Sequence, residues 1–167
     1  MLVIMTHEKA DFDAVASQVG ASKLFPDAVA LLPWSVNRNV QQFMNLYWDT
    51  LPFTRIEEWR RQKVDSVLLV DTQSLGSIRG MSRSVGVEVI DHHPRQNDKP
   101  NWLYHLDTVG ATTTLLVERL QETGSYLSAE EATLMLLGIY EDTGSLAYDT
   151  TTARDVRASA WLLEQGA

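Results

Sequence analysis

Cysteine is absent from the 167 residues of this chain, which excludes disulfides and any metal site built on thiolates. A metal here must be held by nitrogen and oxygen. Long apolar runs are also missing: no stretch nears the roughly 20 residues that a helix needs to cross a membrane. The opening Met1-Leu2-Val3-Ile4-Met5 reads as a strand and lacks the charged segment and apolar stretch of a signal peptide. The expectation is a soluble cytoplasmic protein with no membrane partner. Internal repeats and low-complexity segments are lacking too. Positive charge is scarce, with 14 Lys and Arg against 22 Asp and Glu and a net charge of −8. That excludes a generally basic surface for sequence-independent nucleic-acid binding. Polyanionic substrates stay open, because two divalent cations would return half of that charge.

What is present is an ordinary apolar content of 44%, enough for one domain. Short apolar runs alternate with helical patterns, the signature of a parallel sheet with crossover helices. Strands are expected at 2–5, 28–32, 66–70, 87–90 and 102–107. The run 66–70 is apolar at consecutive positions, as in a central strand buried on both faces. Helices are expected over 13–24 and 36–47, and the charged segment 54–63 reads as helical in propensity, a solvated connection. The C-terminal third reads as helical. One helix covers 111–122, and a second follows Ser128, with Glu131 completing a capping box. It sets Ala132, Met135, Leu136 and Ile139 on one face. A third follows Thr152, places Val156, Ala160 and Leu163 at similar spacing, and stops at Gly166. The fold class expected is α/β, with a doubly wound, mainly parallel sheet and a helical C-terminal third, in one domain over 1–167.

The chemistry-bearing residues gather in few places. Three of the four histidines fall in His7-x-x-x-Asp11-x-Asp13 and Asp91-His92-His93, and Asp71 and Asp142 raise the aspartates to five. His7 lies two residues beyond the strand 2–5, Asp71 one beyond 66–70, and Asp91 one beyond 87–90. Ligands of open parallel sheets bind outside the carboxyl ends of the strands, at a topological switch point, so three strands deliver candidates to one edge. Asp11 and Asp13, two apart where a loop enters a helix, can point at one centre. Adjacent imidazoles diverge, so one of His92 and His93 ligates metal while the other faces substrate, with Asp91 orienting the ligating ring. Asp142 arrives from the end of the helix 129–141. Oxygen and imidazole donors suit Mn, Mg, Fe, Co or Zn, and the dominance of carboxylates favours Mn or Mg over a structural zinc. The carboxylates also need a cation: two of them about 4 Å apart repel by about 4 kcal/mol at an effective dielectric of about 20.

These residues resemble the DHH phosphoesterase superfamily, which includes RecJ-type exonucleases, oligoribonucleases and family II inorganic pyrophosphatases. The motifs are His7-Glu-Lys-Ala-Asp11-Phe-Asp13, Val70-Asp71-Thr72, Asp91-His92-His93 and Asp142-Thr143-Gly144, in the family's order. The resemblance implies two divalent cations, Mn foremost and Mg or Co as alternatives. It implies that His7, Asp11 and Asp71 hold one and Asp13, Asp71, His92 and Asp142 the other, with Asp71 bridging. His93 would contact the scissile phosphate, giving a catalytic set of His93, Asp71 and Asp91. The implied substrate carries phosphate: a nucleotide, a single-stranded RNA or DNA end, or polyphosphate. Lys9-Ala10 stands where pyrophosphatases often carry Asn-Pro, which argues against that subgroup. A nearer likeness lies in Asp71-Thr-Gln-Ser74, Gly110-Ala-Thr-Thr-Thr114, Gly138-Ile-Tyr-Glu-Asp-Thr-Gly144 and Leu162-Leu-Glu-Gln-Gly-Ala167. These are similar to the N-terminal DHH domain of bacterial proteins that carry CBS domains and a poly(A) polymerase or tRNA nucleotidyltransferase module. The expectation is one DHH domain from a longer multidomain protein, either hydrolytic or a metal- and nucleotide-binding module that positions RNA. The oligomeric state is left open.

Other features read more plainly. Asn37-Arg38-Asn39 is a helix cap with a solvated arginine or a phosphate contact, and His105 is a packed or surface histidine. The five tryptophans are scattered and serve packing. Thr112, Thr113 and Thr114 cap their helix or line the cleft.

Overall fold

The computed structural model describes residues 1–96 and 98–167. Six parallel strands form one sheet in the order β3-β2-β1-β4-β5-β6. They are β1 (Leu2–Met5), β2 (Val29–Leu32), β3 (Phe53–Arg55), β4 (Val64–Val70), β5 (Met81–Asp91) and β6 (Trp102–Leu106). The helices are α1 (Phe12–Leu24), α2 (Arg38–Tyr47), α3 (Thr112–Thr123), α4 (Ala129–Thr143) and α5 (Ala153–Glu164). The chain winds from β1 outward to β2 and β3, then returns to place β4 on the other side of β1. The switch point therefore lies at the carboxyl ends of β1 and β4, where His7 and Asp71 stand. No helix among the described residues is long and apolar enough to cross a membrane.

Alternating strand residues divide the core. Ile4, Leu32, Leu68, Val70 and Ile90 pack against apolar residues of all five helices. Val3, Met5, Leu31, Val67, Leu69 and Val89 point the other way, where Trp59 and Ile78 from connecting segments cover them. One sheet face thus carries the helices and the other carries coil. Gln18, fully buried on α1, donates from Nε2 to the carbonyls of Ile4 (3.1 Å) and Leu31 (2.9 Å). Its amide joins β1 and β2 beyond the two residue pairs at which their ladder closes.

Four expectations are corrected. The segment 54–63 is not helical: Phe53-Thr54-Arg55 form the edge strand β3, and a single 3-10 turn follows at Ile56–Glu58. Nor is it merely solvated, since Trp59 is buried and donates its indole N–H to Arg79 O at 2.9 Å. β5 begins at Met81 rather than 87, because its first half is polar and exposed and gives no apolar run. The α5 residues Val156, Ala160 and Leu163 face solvent; Asp155, Ala158, Ser159 and Leu162 are the buried ones. Asp155 fixes that choice by accepting from Gly110 N (3.0 Å), Thr114 Oγ1 (2.6 Å) and Thr152 N (2.7 Å). Spacing of apolar letters cannot register a buried carboxylate with that many donors. The α4 expectations hold, including the Ser128–Glu131 capping box and the buried Ala132, Met135, Leu136 and Ile139.

Candidate metal centre

After β1 the chain turns through His7, Glu8 and Lys9 into α1. Lys9 adopts a left-handed φ of 58°, and the loop then runs beside residues 35–37, bridging Ala10 to Val36. Glu8 secures this strap by accepting from Trp34 N (3.4 Å), Ser35 N (3.2 Å) and Ser35 Oγ (3.2 Å). Asp11 caps α1 through one oxygen, accepting from Ala14 N at 3.1 Å, and its other oxygen accepts no hydrogen bond among the described residues. From α4, Glu141 accepts from Phe12 N at 2.6 Å and ties the start of α1 to the end of α4. Asn37 caps α2, accepting from Val40 N at 2.9 Å, as its sequence position suggested.

Asp13 lies inside the molecule with no exposed surface. Its two oxygens accept from Thr112 N (2.7 Å) and Thr113 N (2.8 Å), so it caps α3 from a different element. Asp71 sits one residue past β4 with a left-handed φ of 54°, a region aspartate tolerates better than most side chains. Its Oδ1 accepts from Thr112 Oγ1 at 2.9 Å. Its Oδ2 lies 3.4 Å from His7 Nε2, and its Oδ1 lies 3.7 Å from His92 Nε2. The question left open for the threonines resolves both ways: Thr112 and Thr113 take a capping carboxylate, and Thr112 also contacts the site.

The two adjacent imidazoles diverge. His92 Nδ1 contacts Val109 O at 3.1 Å, which makes Nδ1 the donor and turns Nε2 inward. Nε2 is buried and lies 3.3 Å from Asp142 Oδ2, within ion-pair reach but without hydrogen-bond alignment to any partner. Asp91 does not orient His92, as the sequence suggested; it serves the next residue. Its Oδ1 accepts from His93 Nδ1 at 2.8 Å and from His93 N at 3.2 Å, because side chains two apart at a strand end share a side. Gln73 donates to Asp91 Oδ2 (2.9 Å) and Pro94 O (3.1 Å) and accepts from Gln96 N (2.9 Å), pinning the loop after β5. His105 pairs with Glu88 at 2.9 Å away from these residues.

Donor atoms of His7, Asp11 and Asp71 fall within 4.8 Å of one another, as do those of Asp13, His92 and Asp142. Asp71, Asp91, His92 and His93 form a third such set. The structure thus brings together all eight residues singled out from the sequence. His7, Asp11, Asp71, Asp91, His93 and Asp142 line an open cavity of about 400 Å³. Several supports escaped the sequence reading: Glu8, Gln73, Glu141 and the carbonyl of Val109. Gln73 and Glu141 stand beside motif residues, the only signal that could have found them, while a carbonyl carries none.

Electrostatics match the geometry. Burial pushes the Asp13 carboxyl well above its ordinary range, and the charges of Asp71 and Asp142 add to that. Asp11 is raised for the same first reason. The Asp71 carboxylate beside His7 lifts that imidazole to about 9. Burial lowers His92, but Asp142, Asp13 and Asp71 outweigh it and bring the group up to about 10. His93 is raised by Asp91. Burial works to raise Asp91, yet its bonds from His93 and Gln73 hold it below the usual carboxylate range. Clustered carboxylates that keep nearby imidazoles charged are groups awaiting a cation. The inward His92 Nε2, set between the carboxylates of Asp142 and Asp71, and a donor set of carboxylate oxygen and imidazole nitrogen fit a divalent metal.

The sequence matches the DHH family, N-terminal domain, over residues 1–139. It is 41% identical to an A-adding tRNA nucleotidyltransferase of Geobacter sulfurreducens, across 100% of this chain and 20% of that protein. It is 29% identical to an Exiguobacterium sp. protein assigned as a manganese-dependent inorganic pyrophosphatase, across 98% of this chain and 54% of that one. The chain therefore spans about a fifth of the first relative and about half of the second. Among solved structures, a Methanococcus jannaschii protein assigned as a family II inorganic pyrophosphatase superposes with a TM-score of 0.76 at 22% identity, over 99% of this chain and 56% of that one. That likeness establishes the shared fold. With four motifs meeting at one sheet edge and the family match covering most of its length, the chain belongs to the DHH family.

Proposed function

We propose that this domain hydrolyses a phosphoester or phosphoanhydride bond with two divalent cations, Mn foremost and Mg or Co as alternatives. The observation that carries this reading is Asp71, whose Oδ2 lies 3.4 Å from His7 Nε2 and whose Oδ1 lies 3.7 Å from His92 Nε2, between the set with His7 and Asp11 and the set of Asp13, His92 and Asp142. His7, Asp11 and Asp71 would hold one cation, and Asp13, Asp71, His92 and Asp142 the other. Bound there, the pair would lower the pKa of a shared water and offset the negative charge of the phosphate. The Thr112 hydroxyl donates to Asp71 Oδ1 and fixes the carboxylate that would serve both cations. The Val109 carbonyl keeps the His92 proton on Nδ1, leaving Nε2 to coordinate. Asp91 accepts from His93 Nδ1 and favours the doubly protonated imidazolium, whose Nε2–H would donate to a phosphate oxygen and stabilise charge as it develops. The substrate class is a phosphorylated small molecule, a nucleotide or a nucleic-acid end. The manganese-dependent relative supports the metal, and family membership supports phosphate chemistry.

A second reading follows from the nucleotidyltransferase relative, of which this chain covers 20%. On that reading residues 1–167 are one DHH domain of a longer multidomain protein, binding metal and nucleotide without turnover. One experiment separates the two: Mn-dependent hydrolysis of a generic phosphodiester and of pyrophosphate, with metal content measured, beside an Asp71→Ala variant. Turnover lost together with metal in the variant supports the hydrolase. Stoichiometric metal without turnover on either substrate supports the binding module.

A further inference from the structure

Asp155 stands outside the four motifs and outside the matched residues 1–139, yet it is tied to the ligand cluster. It has no exposed surface, and no cation among the described residues pairs with it. Its chain neighbour Arg154 turns instead to Asp107 (2.6 Å) and Glu118 (2.7 Å). Burial works to raise the Asp155 carboxyl, but the bonds it accepts hold it below the usual carboxylate range, so the group is charged. Those bonds come from Thr114 Oγ1 (2.6 Å), from Thr152 N and Oγ1 (2.7 Å each) and from Gly110 N (3.0 Å). With Thr152 it completes the capping box of α5, and a cap is the plainer account of its burial.

The bond from Gly110 reaches further than a cap. That N–H belongs to the same peptide group as the Val109 carbonyl, which meets His92 Nδ1 at 3.1 Å. One amide plane therefore joins a buried carboxylate on one side to a candidate metal ligand on the other. Hydrogen bonds in such a chain polarise one another, so a charged acceptor at one end makes the carbonyl at the other a stronger acceptor. Glycine is what admits the carboxylate here: a Cβ on residue 110 would lie 2.9 Å from Asp155 Oδ2 and 2.5 Å from Thr143 Cγ2. His7 supplies the contrast. Its Nδ1 contacts the Glu8 carbonyl at 2.9 Å, but the N–H of that peptide group, on Lys9, ends on the neutral Ser35 hydroxyl at 3.1 Å.

We propose that Asp155 is a positioning residue for His92. Through the peptide group between Val109 and Gly110, its charge holds the ring proton on Nδ1 and makes Nε2 a better donor to the second cation. This role presupposes that His92 is a ligand, as under the proposed function.

Proton spectra of the Co-loaded protein test it. An imidazole bound through Nε2 keeps one ring proton, at Nδ1, whose signal the ion shifts away from the ordinary spectrum and which exchanges with solvent. His7 and His92 should each give such a signal, and the one lost in His92→Gln belongs to His92. Asp155→Asn removes the charge but keeps an oxygen for Gly110 and Thr152, while the Thr114 hydroxyl can turn to accept from the new amide. In that variant the His92 proton should exchange about fivefold faster and the second cation should bind about fivefold more weakly. That is short of the roughly tenfold loss expected of a group bonded to the ligand itself. The His7 signal should not move. Thr114→Val keeps the charge and removes a donor that competes with Gly110 for it, so exchange there should be no faster than in wild type. A mere cap would loosen in both variants, so faster exchange in Thr114→Val overturns the inference. An unaltered His92 signal in Asp155→Asn, or equal changes at His7 and His92, also overturns it and leaves the ligand reading standing. A wild type that lacks the His92 signal overturns both.

Discussion

The cluster of His7, Asp11 and Asp71 and the cluster of Asp13, His92 and Asp142 share one sheet edge but are built on different foundations. His7 is 33% exposed and rides on a loop strapped to Trp34 and Ser35 by the surface carboxylate Glu8. His92 is 14% exposed and is oriented by the Val109 carbonyl, while Asp13 has no exposed surface and caps α3. The first set is a surface arrangement that a cation would complete under the proposed function. The second is part of the core, so the proposed ligand role and the structural role fall on the same atoms. The difference shows that metal affinity and fold stability need not be lost together, and that which one is lost depends on the cluster.

The widest break of that comparison comes at the shared residue. Asp71→Ala should remove both cations and lower any hydrolytic rate by about a thousandfold or more, a loss of the scale seen when a group central to catalysis is deleted. Asp11→Ala should remove only the first cation. Metal-to-protein ratios by elemental analysis check both, and equal losses in the two variants would contradict separate clusters bridged by Asp71.

Asp13 sharpens the contrast because capping and charge can be separated there. Asp13→Ala strands the N–H groups of Thr112 and Thr113 in the core, which should cost about 2–4 kcal/mol. Asp13→Asn keeps one acceptor and removes a buried charge. Its metal-free form should be at least as stable as wild type at pH 7, although the second cation is lost. The sign follows from the raised carboxyl: stability is lost as pH climbs from the ordinary aspartate range toward the folded value, and asparagine escapes that loss. Urea unfolding with chelator present measures both variants. Destabilisation by Asn as large as by Ala would mean that the charge itself holds α3.

Much of this site could be read in the sequence because its ligands follow apolar runs directly. His7, Asp71 and Asp91 needed only strand ends to be placed, and the switch-point geometry did the rest. What escaped was of two kinds. The Val109 carbonyl and the Thr112 and Thr113 N–H groups are backbone, which every residue has. Glu141 and Glu8 act across folds of the chain, on Phe12 and on Trp34 and Ser35, so their place beside Asp142 and His7 does not say what they bind. The α5 misreading has the same root, since Asp155 is buried for the donors it finds in Gly110, Thr114 and Thr152. The strand β3 and the polar half of β5 were missed because an exposed strand buries too little to leave an apolar run.

Protons offer a graded test. His7 at about 9 and His92 at about 10 are charged at neutral pH without metal, so each cation must displace a proton. Below those values the affinity of each cluster should rise by up to about tenfold per pH unit. The metal-free fold should respond oppositely. An imidazole raised by folding contributes stability that is complete below its unfolded value near 6.5 and is lost as pH rises through 9 to 10. Melting temperatures from pH 6 to 9 should fall with chelator present and hold level with Mg. A flat profile under both conditions would mean that neither imidazole is paired with its carboxylates in solution.

The smallest effect is expected at Glu8, which touches no proposed ligand atom through its side chain. Its carboxylate accepts from Trp34 N and from both the N–H and hydroxyl of Ser35, holding the loop between His7 and Asp11 against those two residues. Removing it frees the loop to sample other positions without disturbing Asp13, His92 or Asp142. Glu8→Ala should therefore weaken the first cation by about tenfold, the low end for groups that orient a metal ligand, and leave the second unchanged. Titration with Mn followed by the paramagnetic signal of the free ion resolves the two affinities. Equal weakening would show that the clusters cooperate through Asp71 strongly enough to act as one centre, and the contrast between surface and core would then describe their construction but not their binding.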